Sequence, residues 1–558
     1  MESGAANYLA RVAEVIDPRV RRVAAWLTLP LVVALAQVAG GDASAADRAG
    51  RDGAVSIGIT EPRRLIPSDT TDGAGTQVLA ALFTPLVEYD DTGTPVEAAA
   101  KQIRSDDGIT WTIELKAGWT FHNGQPVTAD SYLKAWNYAA YGPNKQENGY
   151  LFSRVAGYAD LNPPDPGATP TASVLSGLKK VDDTTFTVTL AAPSTEFKAL
   201  LGDPAFDPLP DAAFDDPTAS PLVLRTGYQD APVGNGPFAI KGTWQHNSKI
   251  EVERFGEYRG GRPHAGGITF KIYQSVSAQY ADLQSNNLDV VKAIPTQSLG
   301  VVTGDLGDRY QQSPASSLEF LAIPTDRSTF GKPDIRTAIS MAIDRDELVK
   351  AILYGSAKAA RSFVSPVVSG YRADTCGTAC EFTPDDAKKL YQAADGPKTI
   401  KITYNADGDH QQSTEAICHQ LTSNLGVECV ANPLPTFTDL VTAAKAGTDL
   451  GIIRLGWSMR YPSMTAYLRP LYSTTGPANF SHYRNPDLDR LIDEGTQTAP
   501  ADDAVKKYQA AEDLLAKDLP DVPLWFAQHN FGHSTKVTDV TIDLFDRVDL
   551  MRIRTTDS

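Results

Sequence analysis

Between residues 399 and 430 the sequence reads strand, helix, strand, and that alternation restricts the fold more than any other feature. "TIKITYNAD" (399–407) is a β-type run ending in turn-forming residues. "STEAICHQLTSNLGVECV" (413–430) places apolar residues at helical spacing and then enters another β-type run. The same vocabulary recurs upstream. "TWTIELKAGWTF" (110–121) alternates polar and apolar residues and runs into the turn "HNGQPVT". "TADSYLKAWNYAA" (128–140) opens on capping residues and continues as a helix, and "TTFTVTL" (184–190) is a half-buried strand. "PDIRTAISMAIDRDELVKAILYG" (333–355) is a long amphipathic helical pattern, broken near Asp344 and stopped by Gly355. "NPPDPGATP" (162–170) is too rich in proline for either element and is an exposed loop. Strands interleaved with helices specify an α/β fold.

The N-terminus adds a second constraint. Arg11, Arg19, Arg21 and Arg22 precede an apolar run from Val23 to Ala39 that is interrupted by Pro30. That layout is a secretory signal, and the run is at the short limit for a membrane span. Val38-Ala39-Gly40 suits the approach to a lipoprotein cleavage site, but Gly41 stands where the lipid-bearing cysteine belongs, and glycine forms no thioether. Ala43-Ser44-Ala45 offers an alternative cleavage motif with Ala46 as first residue. Residues 1–45 are therefore read as a signal peptide. The remaining chain of roughly 510 residues exceeds what one core sustains, so two or more lobes are expected. Its net charge of −17 is unchanged by removing residues 1–45. That charge opposes nucleic acid and anionic membranes, so no nucleic-acid partner is expected.

The four cysteines, Cys376, Cys380, Cys418 and Cys429, all lie late in the chain. Export favours disulfides, with local pairing of 376 with 380 and 418 with 429 the simplest scheme among the three that four cysteines allow. The spacing is a poor match to zinc sites, and no metal or other cofactor is expected. Nucleophile elbows, zinc-protease helices and phosphate loops are absent from the sequence. His529 and His533 are four residues apart without a catalytic Glu, and are read as isolated surface or packed histidines. "NADGDHQQSTE" (405–415) fails the geometry of a calcium loop. The chain is read as a non-enzyme.

"WTIELKAGWTFHNGQPVTADSYLKAWNYA", "PVGNGPFAIKGTWQHNSKI", "DIRTAISMAIDRDELVKAIL" and "GWSMRYPSMTAYL" occur in that order. Together they resemble the family 5 solute-binding proteins of peptide and nickel ABC importers, over residues 55–545. "ENGYLFSRVAGYADL" and "KITYNADGDH" are similar to the oligopeptide-binding lipoproteins of actinobacteria, some of which are encoded in specialised-metabolite clusters such as that for clavulanic acid. The resemblance implies a two-lobed, three-domain, periplasmic-binding-protein-like α/β fold with a ligand cleft between lobes joined by two crossing segments. Domain I is expected from 46–95, 206–325 and 522–558, domain II from 96–205, and domain III from 326–521. The implied protein is an extracytoplasmic monomer, secreted or held at the outer face of the membrane, that delivers a peptide or peptide-like molecule to an ABC permease. Two other classes are an enzyme or processing factor of secondary metabolism built on the binding fold, and a sensor that signals by closure.

In "IIRLGWSMRYP" the segment lining the cleft of such binders falls on Gly456, Trp457 and Ser458, with Met459 and Tyr461 beside it. The resemblance implies Arg454 for a short peptide's carboxylate, Asp72 and Gly73 of "TTDGAGT" for the loop meeting the first peptide residues, and Trp525 of "VPLWFAQ" for an aromatic wall. Packing alternatives stay open: Trp457 under the hinge, Arg454 in an ion pair within its lobe, Trp525 in a buried strand. One position departs from the family. Three residues after the Trp, where peptide binders carry an Asp that pairs with the α-ammonium, this chain has Arg460. Arg460 either faces the cleft and attracts an anionic group, or pairs with an acid of its own lobe and leaves the ammonium to a carboxylate such as Asp72.

The secretion reading makes a direct prediction. Intact-mass analysis of the protein from its native host gives a chain beginning at Ala46 with no diacylglycerol adduct; a lipid on the N-terminus or retention of residues 1–45 overturns it.

Overall fold

Two strands of 13 residues each, Tyr310–Ala322 and Asp521–His533, run antiparallel through the middle of the protein. The computed structural model describes residues 53–556 apart from 91–92, 164, 166, 408–409 and 500, so the secretion signal, Gly41 and Ala46 lie outside the described residues. The central pair joins two halves of one mixed sheet. On one side follow Val290–Val291, Ala54–Ile59, Gly267–Ile272, Lys249–Arg254 and Phe238–Ile240. On the other side follow Ile452–Trp457, Thr399–Asn405 and Glu428–Leu434, and the short strand Ala357–Ala359 pairs with Asp521–His533. The result is an α/β, two-lobed architecture in which both halves share the same two strands. From Asp521 to Phe526 the second of these strands is buried without interruption. A strand with neighbours along both edges and layers on both faces needs apolar residues at every position, which is why "VPLWF" does not alternate.

The strand–helix–strand reading of 399–430 holds, with the helix opening two residues earlier and the second strand running on to Leu434. Thr399–Asn405 pairs in parallel with Glu428–Leu434, and the helix Gln411–Leu425 between them stops at Gly426 in the left-handed conformation (φ 76°). The long helical pattern at 333–355 splits where Asp344 stands: one helix covers Pro333–Met341 and the next Arg345–Ala351. Asp344 caps the second by accepting from the Glu347 backbone N–H at 2.9 Å.

A second, antiparallel sheet is formed by Ala100–Arg104, Thr110–Leu115, Thr185–Thr189 and Leu178–Lys180. Trp111, Ile113 and Leu115 point inward, as the alternation requires. Tyr132 and Trp136 of the helix Ala129–Ala140 pack on Phe186, each with ring centroids 5.6 Å away. The strand at 110 is shorter than its sequence pattern. It ends at Leu115, because Gly118 turns the chain at φ 80°, although Trp119 and Phe121 beyond the turn are still buried.

Both local disulfides form. Cys376–Cys380 and Cys418–Cys429 have Cα separations of 5.6 and 5.0 Å, and none of the four thiols is free. The second ties the helix Gln411–Leu425 to the strand Glu428–Leu434. Among the described residues no helix is long and apolar enough to cross a membrane.

Closing a loop of this length restricts the unfolded chain by about 2–3 kcal/mol. The double substitution Cys418→Ala with Cys429→Ala is therefore expected to lower the unfolding free energy by that amount in denaturant titration. Thiol counting on the unreduced, denatured wild type is expected to find no free cysteine; two free thiols per chain overturn the pairing.

Candidate ligand-binding cleft

The two central strands do not stay in register. Pro314 pairs with Gln528 and Leu318 with Phe526, so residues 315–317 face a single residue, Ala527, and drop out of the ladder. A cavity of about 360 Å³ lies there, lined among others by Ser316, Ser317, Ser458, Arg460, His529 and Arg547. A second cavity of about 280 Å³ shares Ala527, Gln528, His529 and Asp546 with the first and is walled by Trp525, Leu299 and Leu353. The strand Ile452–Trp457 ends at the same place, so the segment 458–460 runs along the cavity without a strand partner. Concave spaces of this size, apolar with a few convergent polar groups, are what ligand sites are made of.

Arg460 reaches the cleft and is paired at the same time. Its Nε and Nη2 donate to Asp203 Oδ2 at 2.9 and 2.8 Å. Asp203 is almost fully buried, and its other oxygen accepts from the Ala205 backbone N–H at 2.9 Å. The acid comes from 257 positions earlier in the chain, not from the neighbourhood of Arg460. A third cavity of about 260 Å³ lies on the other side of Arg460, with Trp457, Tyr461, Tyr150 and Arg154 in its wall. The pair has company: Glu196 accepts from Thr465 Oγ1 at 2.7 and 2.8 Å and from Ser463, and Arg154 Nη2 donates to the Tyr461 hydroxyl at 3.4 Å. Burial and the neighbouring Asp203 carboxylate push the Asp207 carboxyl well above the usual range.

The other residues singled out in the sequence divide. Ser458 and Met459 line the first cavity, the latter 4% exposed, and Trp525 lines the second while also being buried in its strand. Trp457 is half-buried, with its indole N–H donating to Ala466 O at 2.7 Å. Tyr461 is buried and bonds Thr465 at 3.1 Å. Gly456 has a definite reason: a Cβ there would lie 2.5 Å from Glu319 Oε1 on the adjacent strand. Arg454 lies outside the linings of all three cavities; it is buried, ion-paired with Glu319 and bonded to His410 at 3.0 Å. Asp72 is outside them too. Its Oδ1 caps the helix Gly73–Leu82 by accepting from the Gly75 N–H at 2.8 Å. Gly73 nevertheless faces the site, since a Cβ on it would meet Asp546 Oδ2 at 3.9 Å and Lys292 Nζ at 4.0 Å.

Three residues of the cleft carried no mark in the sequence reading, Asp203, Asp546 and Arg547, and a fourth, His529, read there as an isolated surface or packed histidine, is buried, lies against Asp546 and lines two cavities. His529 Nδ1 lies 3.2 Å from Asp546 Oδ1, and Lys292 Nζ 3.1 Å from Asp546 Oδ2. Burial alone would raise the Asp546 carboxyl, but the bond from His529 and the Lys292 charge hold it below the usual range. His529 was legible in principle. It stands four residues after Trp525 on one strand, and a period of two puts both on the same face.

The model of the bacterial extracellular solute-binding proteins, family 5 Middle, matches residues 94–479. The chain is 25% identical over 518 residues to the periplasmic oligopeptide-binding protein OppA of Salmonella typhimurium, covering 90% of this chain and 92% of that protein. Its fold is similar to the murein tripeptide binding protein MppA of Escherichia coli, with a TM-score of 0.74, 21% identity, and coverage of 91% of this chain and 99% of that one. It is also similar to Haemophilus influenzae OppA in complex with RPPGFSPFR, with a TM-score of 0.72, 21% identity, and coverage of 90% and 99%.

Removing one member of a buried ion pair strands the other. Arg460→Met is expected to cost about 2–3 kcal/mol by leaving Asp203 buried without a cation, and combining it with Asp203→Asn is expected to restore most of that loss. Denaturant midpoints of the wild type, both single variants and the double variant read the coupling directly; additive losses would show that the two side chains act independently.

Proposed function

The chain belongs to the bacterial extracellular solute-binding proteins of family 5, and from that premise we propose that its cleft captures a peptide or peptide-like ligand outside the cytoplasm and delivers it to the permease subunits of an ABC importer. The observation that carries the reading is the break in the central strands. Residues 315–317 and 458–460 present backbone without a strand partner to one cavity. Extended backbone without a strand partner on two sides of a groove suits the main chain of a peptide, which brings its own alternating donors and acceptors, even with the Ala315 and Ser316 carbonyls engaged by the Ser365 and Tyr467 hydroxyls. The names of the relatives agree, since OppA of Salmonella typhimurium is an oligopeptide-binding protein.

On this reading Ser458, Met459, Arg460 and Trp525 belong to the ligand site, Gly73 leaves space at it, and Arg454, Gly456 and Asp72 hold the scaffold that shapes it. The expected domain limits place the cleft where 46–95, 206–325 and 522–558 meet 326–521, with 96–205 supplying Asp203. Binding by closure needs no nucleophile. It needs a wall that excludes water and polar groups that take over the hydrogen bonds water made.

Protein purified from its native host, denatured and examined by mass spectrometry should release a compound with peptide-type amide groups in near-equal amount to protein. Returned at a hundredfold excess over its Kd to refolded protein, that compound is expected to raise stability by about 2.7 kcal/mol. Release of only a sugar, lipid or metal overturns the reading, and conversion of the compound to a product favours an enzyme instead.

A further inference from the structure

We propose that Glu196 is a latch: its carboxylate, carried by the region of the second sheet (96–205), plugs into a hydroxyl socket at Ser463 and Thr465 and keeps the cleft shut by the protein's own bonds, so that closure does not wait for a ligand. The inference goes beyond the reading above, since it holds whatever the cleft takes.

The region that carries Glu196 meets the rest of the protein in two different ways. Towards the first half of the main sheet it is packed by rings and backbone. Ring centroids of Trp119 and Tyr258 lie 5.5 Å apart, and those of His122 and Phe255 5.0 Å apart. The His122 backbone N–H donates to Gly234 O at 2.8 Å, and the Gly234 N–H donates back to His122 Nδ1 at 3.2 Å. Towards 460–496 the hydrogen bonds come from charged and hydroxyl side chains: Glu196 with Ser463 and Thr465, Asp203 with Arg460, Arg154 with Tyr461, and Thr195 with Thr496. Such groups are rehydrated when two surfaces part, whereas exposed rings gain nothing from water. Polar interfaces between parts of one chain are the ones that open and close. The first interface is a permanent join, and the second is the moving one.

Glu196 is placed for that task. It stands immediately before the short helix Phe197–Leu200, where a polar side chain commonly caps its own helix, yet it makes no such bond. Its two oxygens lie 2.8 and 2.7 Å from Thr465 Oγ1, and one of them also accepts from Ser463 Oγ. Thr465 is buried, and burial together with the Glu196 carboxylate pushes the Tyr508 hydroxyl upward. Hydroxyls donating to a carboxylate away from water form charge-assisted bonds, stronger than those between neutral groups. Beside the plug the Thr195 backbone N–H crosses to Thr496 O at 3.0 Å, while that of Ser194 stays within its own region on Gly108 O at 2.9 Å. Glu196, Ser463, Thr195 and Thr496 line none of the three cavities. The latch therefore lies beside the ligand's space and not in it. A ligand meets a protein that is open for part of the time, and its apparent affinity falls with that fraction.

The test uses full-length protein stripped of ligand, small-angle X-ray scattering, and hydrogen exchange resolved to single amides. The wild type is expected to scatter as this structure does, and Glu196→Ala to show a larger radius of gyration. In Glu196→Ala the Thr195 amide is expected to exchange at least tenfold faster, with Ser194 and the His122 amide unchanged. Thr465→Val keeps the side-chain shape and alters the socket from the far side, and it is expected to shift both readouts in the same direction. An open wild type overturns the latch. So does a Glu196→Ala protein as compact as wild type, or one in which Ser194 is released as much as Thr195, because that is local fraying. Should Glu196→Ala fail to fold, the wild type and Thr465→Val decide by the same two measurements.

Discussion

Everything in the cleft depends on three residues that the central strands cannot keep in the ladder. Residues 315–317 sit opposite Ala527 alone, so the strand Tyr310–Ala322 carries extra chain exactly where it passes from one half of the sheet to the other. On either side of that point pairing is continuous: Tyr310 to Pro314 with Gly532 to Gln528, and Leu318 onward with Phe526. The sheet is thus stiff in each half and discontinuous between them. The extra residues do not float. The Ala315 carbonyl accepts from Ser365 Oγ at 3.1 Å, and that of Ser316 from the Tyr467 hydroxyl. A gap in a ladder whose walls are braced this way stays a cavity instead of collapsing, because filling it would leave those buried hydroxyls without partners.

The two arginines that line the cavity, Arg460 and Arg547, are each paired to an acid before any ligand arrives. Asp203 is saturated by Arg460 and Ala205 N–H, and Asp543 by Arg547 and two backbone N–H groups. Arginine allows this because its planar fork can serve one oxygen with two nitrogens and keep the third nitrogen for another partner. Exchanging an acid for Arg460 therefore does more than invert a sign. It recruits Asp203 as a counter-ion and leaves the arginine's remaining edge as a donor.

What could be read from the sequence was whatever repeats locally. The strand–helix–strand at 399–434 announces itself by periodicity, the helix break at 344 by an acid that can cap, and the local disulfides by their spacing. An ion pair was one of two readings open for Arg454, but its partner Glu319 and the cap that Asp72 makes on Gly75 were not legible, because both are decided by which strand or loop lies alongside. Asp203 was invisible for the same reason: no local pattern points 257 residues ahead to Arg460. The register break had a faint signal. Pro314 cannot donate to a ladder, so within a sheet it belongs at an edge or beside a bulge, and it stands immediately before residues 315–317.

The contacts around Arg460 also bear on how a ligand can act. Arg460–Asp203, Thr465–Glu196 and the bond from Thr195 N–H to Thr496 O at 3.0 Å all join the segment near 194–203 to the segment near 460–496. Parting those two segments breaks every one of them, whatever the cleft contains. A ligand shifts such an equilibrium only through contacts it makes in one arrangement and not in the other. A group that met Arg460 alone would add little, since Arg460 is already tied to Asp203. Contacts that reach across to Arg547, His529 or Asp546 come from a different part of the chain and bridge what the protein's own ion pairs do not.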